Sequence, residues 1–254
     1  MIPWLVDENQ PLPPTSRALG PGSEAPGLLV AGGEITERRL VEAYSHGVFP
    51  WYSPGQPVLW WSPDPRMVLP VAEFRLSRSL RKTVARFAAA PNCELRIDAA
   101  LRRVMQACAQ TPRDGQDGTW IMPEMIAAYC AWPAVHSVEA WVDGQLVGGL
   151  YGVSLGRMFF GESMFSHRTD ASKVALAALV CFCRANGIDL IDCQQRTEHL
   201  ASMGAREIPR AMFERLLARR LEEPPVRDWT YDPAHWNRLR SAPGGASRIE
   251  EPDP

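Results

Sequence analysis

Apolar positions change their period along this chain of 254 residues. Residues 1–27 show no period at all; they are rich in Pro and Gly and predict irregular chain. Ile35 and Leu40 then flank Thr36 at hydrophobic-staple spacing, and Gly47 stands where a helix C-terminus favours glycine. This predicts a helix over residues 37–46. Ser77 is a candidate cap for a helix over 78–90, whose Leu80, Val84 and Phe87 share one face, and Asp98 for another over 99–110. Met122 to Ala131 is again apolar at helical spacing.

Period two takes over at His136–Val142, where Asp143-Gly144 signals a tight hairpin into a second strand, Leu146–Val153. Leu155-Gly156-Arg157 predicts a turn into a strand at Met158–Gly161. Asp170 is expected to cap an apolar helix over Ala171–Cys183, Ile188–Asp192 reads as a buried strand, and an amphipathic helix follows over Arg210–Leu221. The tail after residue 241 reads as disordered. Antiparallel strands followed by a helix and one more strand predict an α+β fold with a mixed, largely antiparallel sheet.

Two stretches break the periodicity. Phe49-Pro50-Trp51-Tyr52-Ser53-Pro54-Gly55 and Trp60 to Arg66 predict rigid turns presenting large flat side chains, with a domain boundary near 64–66. Composition adds a folded character, with 46% hydrophobic and 22% charged residues. No apolar run approaches the ~18–20 residues of a membrane span, and the first 30 residues lack the basic start and apolar centre of a signal peptide. Cysteines at 93, 108, 130, 181, 183 and 193 follow neither zinc-ligand nor disulfide-framework spacing, which points to a reducing cytoplasm.

Glycines at 148, 149, 152, 156 and 161 interrupt the strand region, as close packing of backbone or approach of a ligand would require. Glu162 follows an apolar strand, where a charge either pairs with an internal cation or faces a cleft. Asp192 and Gln194 stand at i and i+2 at the end of another strand, on one side by alternation, with Cys193 between them as a packed thiol on the other. The five histidines form no metal-ligand cluster, and neither a Gly-x-Ser-x-Gly elbow nor a Walker loop is present.

Charge is unevenly spread. From Arg75 to Arg113 there are nine basic residues against Glu94 and Asp98, a local excess of seven. The rest of the chain therefore carries nine net negative charges, against a total of only −2. On the helix over 78–90, Arg78, Arg81, Lys82 and Arg86 lie opposite the apolar face, a pattern that favours phosphate contacts.

Phe49 to Tyr52, Trp60 to Arg66, Gly118-Thr119-Trp120-Ile121, Gly148 to Gly152, Gly161 to Ser166, Ala171-Ser172-Lys173, Ile191 to Gln194 and His199 through Arg210 resemble the leucyl/phenylalanyl-tRNA–protein transferases over residues 28–220. The resemblance implies a small N-terminal domain (28–65) and a GNAT-like transferase domain (66–222). An irregular segment (1–27) would precede them, and a partly disordered extension (223–254) would follow. It implies a cytoplasmic, monomeric enzyme without metal or cofactor. The enzyme would move Leu or Phe, and Met less readily, from aminoacyl-tRNA to proteins beginning with Arg or Lys, marking them for N-degron degradation. Asp192 and Gln194 match the family's catalytic positions, Glu162, Trp51, Trp120 and Ser163 its substrate site, and Arg78, Arg81 and Lys82 its tRNA-binding segment. Two other classes remain open: a CoA-dependent N-acetyltransferase, although Arg168 to Lys173 lacks the glycines of a pyrophosphate loop, and a non-catalytic tRNA-binding module.

Overall fold

A computed structural model describes residues 2–112 and 119–239. The first sheet holds β1 (Trp4–Leu5), β2 (Leu28–Gly32), β3 (Phe49–Pro50) and β4 (Leu59–Trp61), in the order β1-β2-β4-β3. Helix α1 (Glu37–Ser45) lies between β2 and β3. The Thr36 hydroxyl accepts from the Arg39 N–H to cap it. At its other end Gly47, at φ 70°, lets the Gly47 and Val48 amides reach the carbonyls of Tyr44 and Ala43.

The irregular N-terminal segment expected from composition is more ordered than that. β1 pairs in parallel with β2, Trp4 facing Ala31. Arg39, 2% exposed, then fastens the following chain by donating to the carbonyls of Glu8 at 2.8 Å and Gln10 at 2.7 Å. A two-residue strand is too short to show a period, so this pairing left no mark on the pattern.

The second sheet is built from β5 (Arg66–Pro70), β6 (Cys93–Ile97), β7 (Val135–Val142), β8 (Gln145–Leu155), β9 (Met158–Ser166), β10 (Leu190–Gln194) and β11 (Arg206–Ile208). Their order is β11-β5-β10-β9-β8-β7-β6, as expected a mixed and largely antiparallel sheet in an α+β fold. Helices α2 (Arg78–Ala89), α3 (Leu101–Gln110), α4 (Pro123–Ala131), α5 (Ala171–Ala185), α6 (Glu198–Ser202) and α7 (Arg210–Leu221) complete it. Among the described residues β9 and β10 form the parallel pair of this sheet, with α5 as their crossover. One face packs on α2 and α5 through Leu80, Val138, Leu150, Phe159, Leu179 and Ile191. The other shares a continuous core with the small sheet, in which Leu40, Tyr44 and Trp60 meet Val104, Tyr129, Tyr151 and Phe160.

Three local expectations are corrected. Asp98 does not cap α3; at φ 56° its carboxylate accepts from the Ser137 amide and contacts His136 Nδ1, both at 2.7 Å. The start of α3 is held instead by buried Glu139, which accepts from the Ala100 amide at 2.6 Å, the Ser137 hydroxyl and the Trp141 indole. Nor does the Asp170 side chain cap α5: it binds Lys173, and the Ser172 amide donates to Ser166 Oγ at 3.1 Å. Strand β9 runs to Ser166, five residues beyond the expected Gly161, because its partner β8 continues alongside it. In the segment after α7, Trp229 stacks on His136 (centroids 3.7 Å apart) and Phe182 (4.5 Å). The expectation of a disordered tail after 241, like the Gly118 and Arg113 positions, lies outside the described residues.

Most of the strand-region glycines serve packing. A Cβ at Gly152 would stand 2.2 Å from the Phe160 carbonyl, and one at Gly148 2.5 Å from Ala171 Cβ on α5. Gly187, by contrast, has φ 72° with nothing within 4 Å of a Cβ. Gly187→Ala should therefore cost about 1–2 kcal/mol through backbone conformation alone. Gly152→Ala should cost more, since backbone on two strands must separate, and urea denaturation of the two variants checks the ranking.

Candidate active-site cleft

The cleft opens where β9 and β10 part. Their pairing runs through Met158–Leu190, Phe159–Ile191 and Phe160–Asp192, and then stops. Just past this point each strand carries a bulge. On β9, Gly161 faces Gly152 and Ser163 faces Tyr151, so Glu162 is the extra residue. On β10, Asp192 faces Val68 and Gln194 faces Met67, so Cys193 is the extra residue. A bulge re-aims the side chains around it. Here Gln194 adopts φ 61°, unusual for a residue with a side chain.

The space between the strands is a cleft of about 340 Å³. Leu150, Phe159, Met164, Leu176, Leu179 and Ile191 make its apolar wall, and Trp51 and Trp120 its aromatic one. Glu162, Ser163, Gln194 and His199 supply polar groups. Trp51 packs against Trp61 with centroids 5.4 Å apart, and the Trp61 indole donates to the Trp51 carbonyl. Trp51 thus belongs both to the small sheet and to the cleft.

Glu162 is 8% exposed. Its Oε1 accepts from the Tyr44 hydroxyl and from Gln194 Nε2, each at 2.7 Å, while its Oε2 is buried without a partner. Tyr129 in turn reaches the Tyr44 oxygen at 2.7 Å; with the Tyr44 proton directed at Glu162, Tyr129 is the donor. Burial pushes the Glu162 carboxyl up to about 7, with the hydrogen bond from Tyr44 opposing and the Asp192 charge adding to the rise.

Asp192 sits differently from the expectation of strand alternation. It is fully buried and does not line the cleft. Its two oxygens accept from Arg66 Nε at 2.8 Å and Nη2 at 2.6 Å, and Oδ1 also accepts from the Gln194 amide at 2.9 Å. The bulge breaks the i, i+2 parity, so Gln194 and Cys193 both border the cleft while Asp192 faces inward. The packed character expected of Cys193 does hold: burial, and then the Asp192 charge, push its thiol well above the ordinary range.

The model of the leucyl/phenylalanyl-tRNA protein transferase family matches residues 68–218, and that of the family's N-terminal domain matches residues 33–64. The chain belongs to this transferase family. A leucyl/phenylalanyl-tRNA–protein transferase from Methylibium petroleiphilum is 67% identical, the match covering 94% of this chain and 92% of the relative. Another from Leptothrix cholodnii is 62% identical, covering 94% and 95%. Among solved structures, a GCN5-related N-acetyltransferase from Kribbella flavida is similar at TM-score 0.31 and 10% identity, over 67% of this chain and 59% of that one.

In this transferase the basic residues of α2 lie away from the cleft wall. Ser77 Oγ caps the helix by accepting from the Leu80 amide, Leu80 and Val84 are buried, and Arg78, Arg81, Lys82 and Arg86 are exposed. Arg78, Ser79 and Lys82 border a shallow depression of their own. Among the described residues no helix is long and apolar enough to cross a membrane.

Sequence reasoning overlooked Arg66, Tyr44 and Tyr129. Arg66 did leave a signal: it heads the apolar run Met67-Val68-Leu69, as Asp192 ends the run Leu190-Ile191. Of the two fates open to a charge beside an apolar strand, Asp192 met an internal cation and Glu162 faces the cleft. The tyrosines left none, since a tyrosine on a helix is ordinarily core. Arg66→Leu should destabilise the protein by about 3–5 kcal/mol, because it strands the Asp192 charge in the interior. The double variant Arg66→Leu/Asp192→Leu should recover much of that loss, and denaturant midpoints of both variants measure it.

Proposed function

We propose that this chain transfers Leu or Phe, and Met less readily, from aminoacyl-tRNA to the α-amine of proteins beginning with Arg or Lys. We place it in the cytoplasm as a monomer without metal or cofactor, marking its acceptors for the N-degron route. Family membership supports the aminoacyl-tRNA and protein substrates. The observation that carries the finer reading is the cleft, with an apolar wall beside the polar pair Glu162–Gln194. An unbranched or γ-branched aminoacyl side chain fits that wall, while a polar one would lose its hydrogen bonds there. Such a wall discriminates only weakly among Leu, Phe and Met, a methylene being worth ~1–3 kcal/mol.

The chemistry asks mainly for alignment. An aminoacyl ester is already activated, and an α-amine with pKa near ~8 is partly unprotonated at neutral pH. Holding amine and ester together supplies much of the acceleration. In this reading Gln194 orients the reacting groups. Asp192 fixes Gln194 through its backbone amide rather than by touching substrate, consistent with its place behind the cleft. Glu162 and Ser163 meet the aminoacyl end, and Trp51 and Trp120 stack on or pack against the terminal adenosine. Arg78, Arg81 and Lys82 meet the tRNA backbone. A CoA-dependent reading finds little support at the head of α5, where Asp170 stands and Ser166 already takes the Ser172 amide.

Phe- or Leu-tRNA with matched peptides differing only in their first residue tests this. Transfer to Arg- and Lys-starting peptides, and none to acetylated ones or from acetyl-CoA, is the expected result; acetylation by acetyl-CoA without transfer would overturn it. Changing Arg78, Arg81 and Lys82 together to Glu should weaken tRNA binding. Its dependence on log salt should flatten by about 0.7–0.9 for each phosphate that the helix no longer neutralises. An unchanged slope would remove α2 from the tRNA site.

A further inference from the structure

We infer that Glu162 is the proton acceptor of the transfer, the carboxylate that takes the proton from the acceptor's α-ammonium and so frees its nitrogen to attack the ester. This rests on the transfer reaction proposed above and assigns the step that the proposal leaves unassigned. Four other groups at the parting of β9 and β10 could be considered for the role. Both Asp192 oxygens are held by Arg66, and Asp192 is fully buried behind the cleft. The Gln194 side chain is an amide whose nitrogen has no basic lone pair, and its N–H already donates to Glu162. Cys193 is held as a thiol by burial and the neighbouring Asp192 charge. His199, exposed at the cleft rim, is the remaining base.

Glu162 differs from Asp192, Gln194 and Cys193 in having a carboxylate oxygen to spare. Oε1 is saturated by Tyr44 and Gln194, which fixes the carboxylate's rotation, while Oε2 is buried without a donor. A buried carboxylate oxygen without a donor is costly, and an arriving ammonium N–H would satisfy it. The nitrogen sheds two protons in the reaction. The first passes from the ammonium to Oε2 and on to solvent. The nitrogen lone pair then forms the C–N bond at the ester carbonyl carbon. The second proton, made acidic by that bond, passes to the tRNA 3′ oxygen as the C–O bond breaks.

The groups facing Glu162 are Tyr44 on α1, Tyr129 on α4, Arg66 on β5, Asp192 and Gln194 on β10, and His199 across the cleft on α6. Burial and then the Asp192 charge raise the Glu162 carboxyl to about 7, against the pull of Tyr44, Gln194 and Arg66. A group raised this far is protonated and idle below that value, so transfer should rise as pH passes about 7. The acceptor's own ionisation near ~8 adds a second, separate limb.

Single-turnover transfer from Phe-tRNA to an Arg-starting peptide, followed against pH, tests the assignment. Glu162→Gln keeps an acceptor for Tyr44. It should slow the chemical step by roughly 100-fold, with a much smaller rise in KM for the peptide, and lose the limb near 7. Tyr44→Phe removes a hydrogen bond to the ionised form and should move that limb upward. An acceptor beginning with β-fluorinated arginine, whose amine is less basic and enters unprotonated, should be transferred by Glu162→Gln at close to the parent rate. Retention of rate and limb in Glu162→Gln, equal impairment with the fluorinated acceptor, or loss of the limb in His199→Gln instead would each overturn the assignment. Absence of any transfer by the unaltered protein would overturn the reaction itself, a failure visible before any variant is made.

Discussion

Arg66 and Asp192 form the contact on which the site depends. The guanidinium is 1% exposed, and three of its nitrogens are committed, two to Asp192 and one to the Gly47 carbonyl at the end of α1. Its faces are covered by the rings of Phe49 and Phe213, with centroids 4.9 and 4.6 Å away. One side chain therefore joins the small sheet, β5, β10 and α7. Burying such a pair is no argument for stability, because desolvation offsets most of the attraction. Its effect lies in how few arrangements satisfy it. A shift of the small sheet against the large one would leave a guanidinium N–H or a carboxylate oxygen unpaired in the interior, and that penalty holds Trp51 and Phe49 at the cleft.

The same pair reaches the chemistry through the backbone. Asp192 Oδ1 accepts from the Gln194 amide, which holds the chain through the left-handed conformation that the β10 bulge requires. Gln194 then extends its side chain to Glu162 on the opposite strand, bridging the gap where the parallel pairing has ended. From the other side Tyr129 donates to the Tyr44 hydroxyl, which donates in turn to the same carboxylate oxygen. Glu162 is thus held by α1 and β10 at once, and its second oxygen is left buried without a donor.

What could be read from the sequence was what repeats locally. The helices from Ser77 and Arg210 and the hairpin at Asp143-Gly144 are fixed by periods, caps and turn residues within a few positions of each other. β5, β6 and β11 escaped because three to five residues show no decisive period and their partners lie far along the chain. Asp98 and Asp170 looked like helix caps by residue type, yet each took another partner, leaving the capping to Glu139 and Ser166. The site was half legible. Glu162, Asp192 and Gln194 could be singled out as polar groups against apolar strands, but alternation places Asp192 beside Gln194, and one extra residue in β10 reverses that relation. A bulge leaves no reliable trace in the pattern, so the difference between an acid in the cleft and an acid behind it became visible only in the register.

Charge required the same step from count to place. The excess of seven between Arg75 and Arg113 looks like one surface in the sequence. In the fold, the edge strand β6 separates two groups. Arg96 pairs with Glu94 at 2.8 Å and lies 4.4 Å from the Trp141 ring centre, with Arg103 at 5.2 Å from the same ring. Arg96 is thus partly neutralised, and both guanidiniums are stacked on an aromatic face, which gives them a packing role of their own. Arg78, Arg81, Lys82 and Arg86 are exposed along one side of α2, anchored from behind by Leu80 and Val84. A polyanion gains most from cations whose position is fixed by packing but whose donors still face water. By that criterion α2, rather than the whole basic stretch, is the surface suited to phosphate.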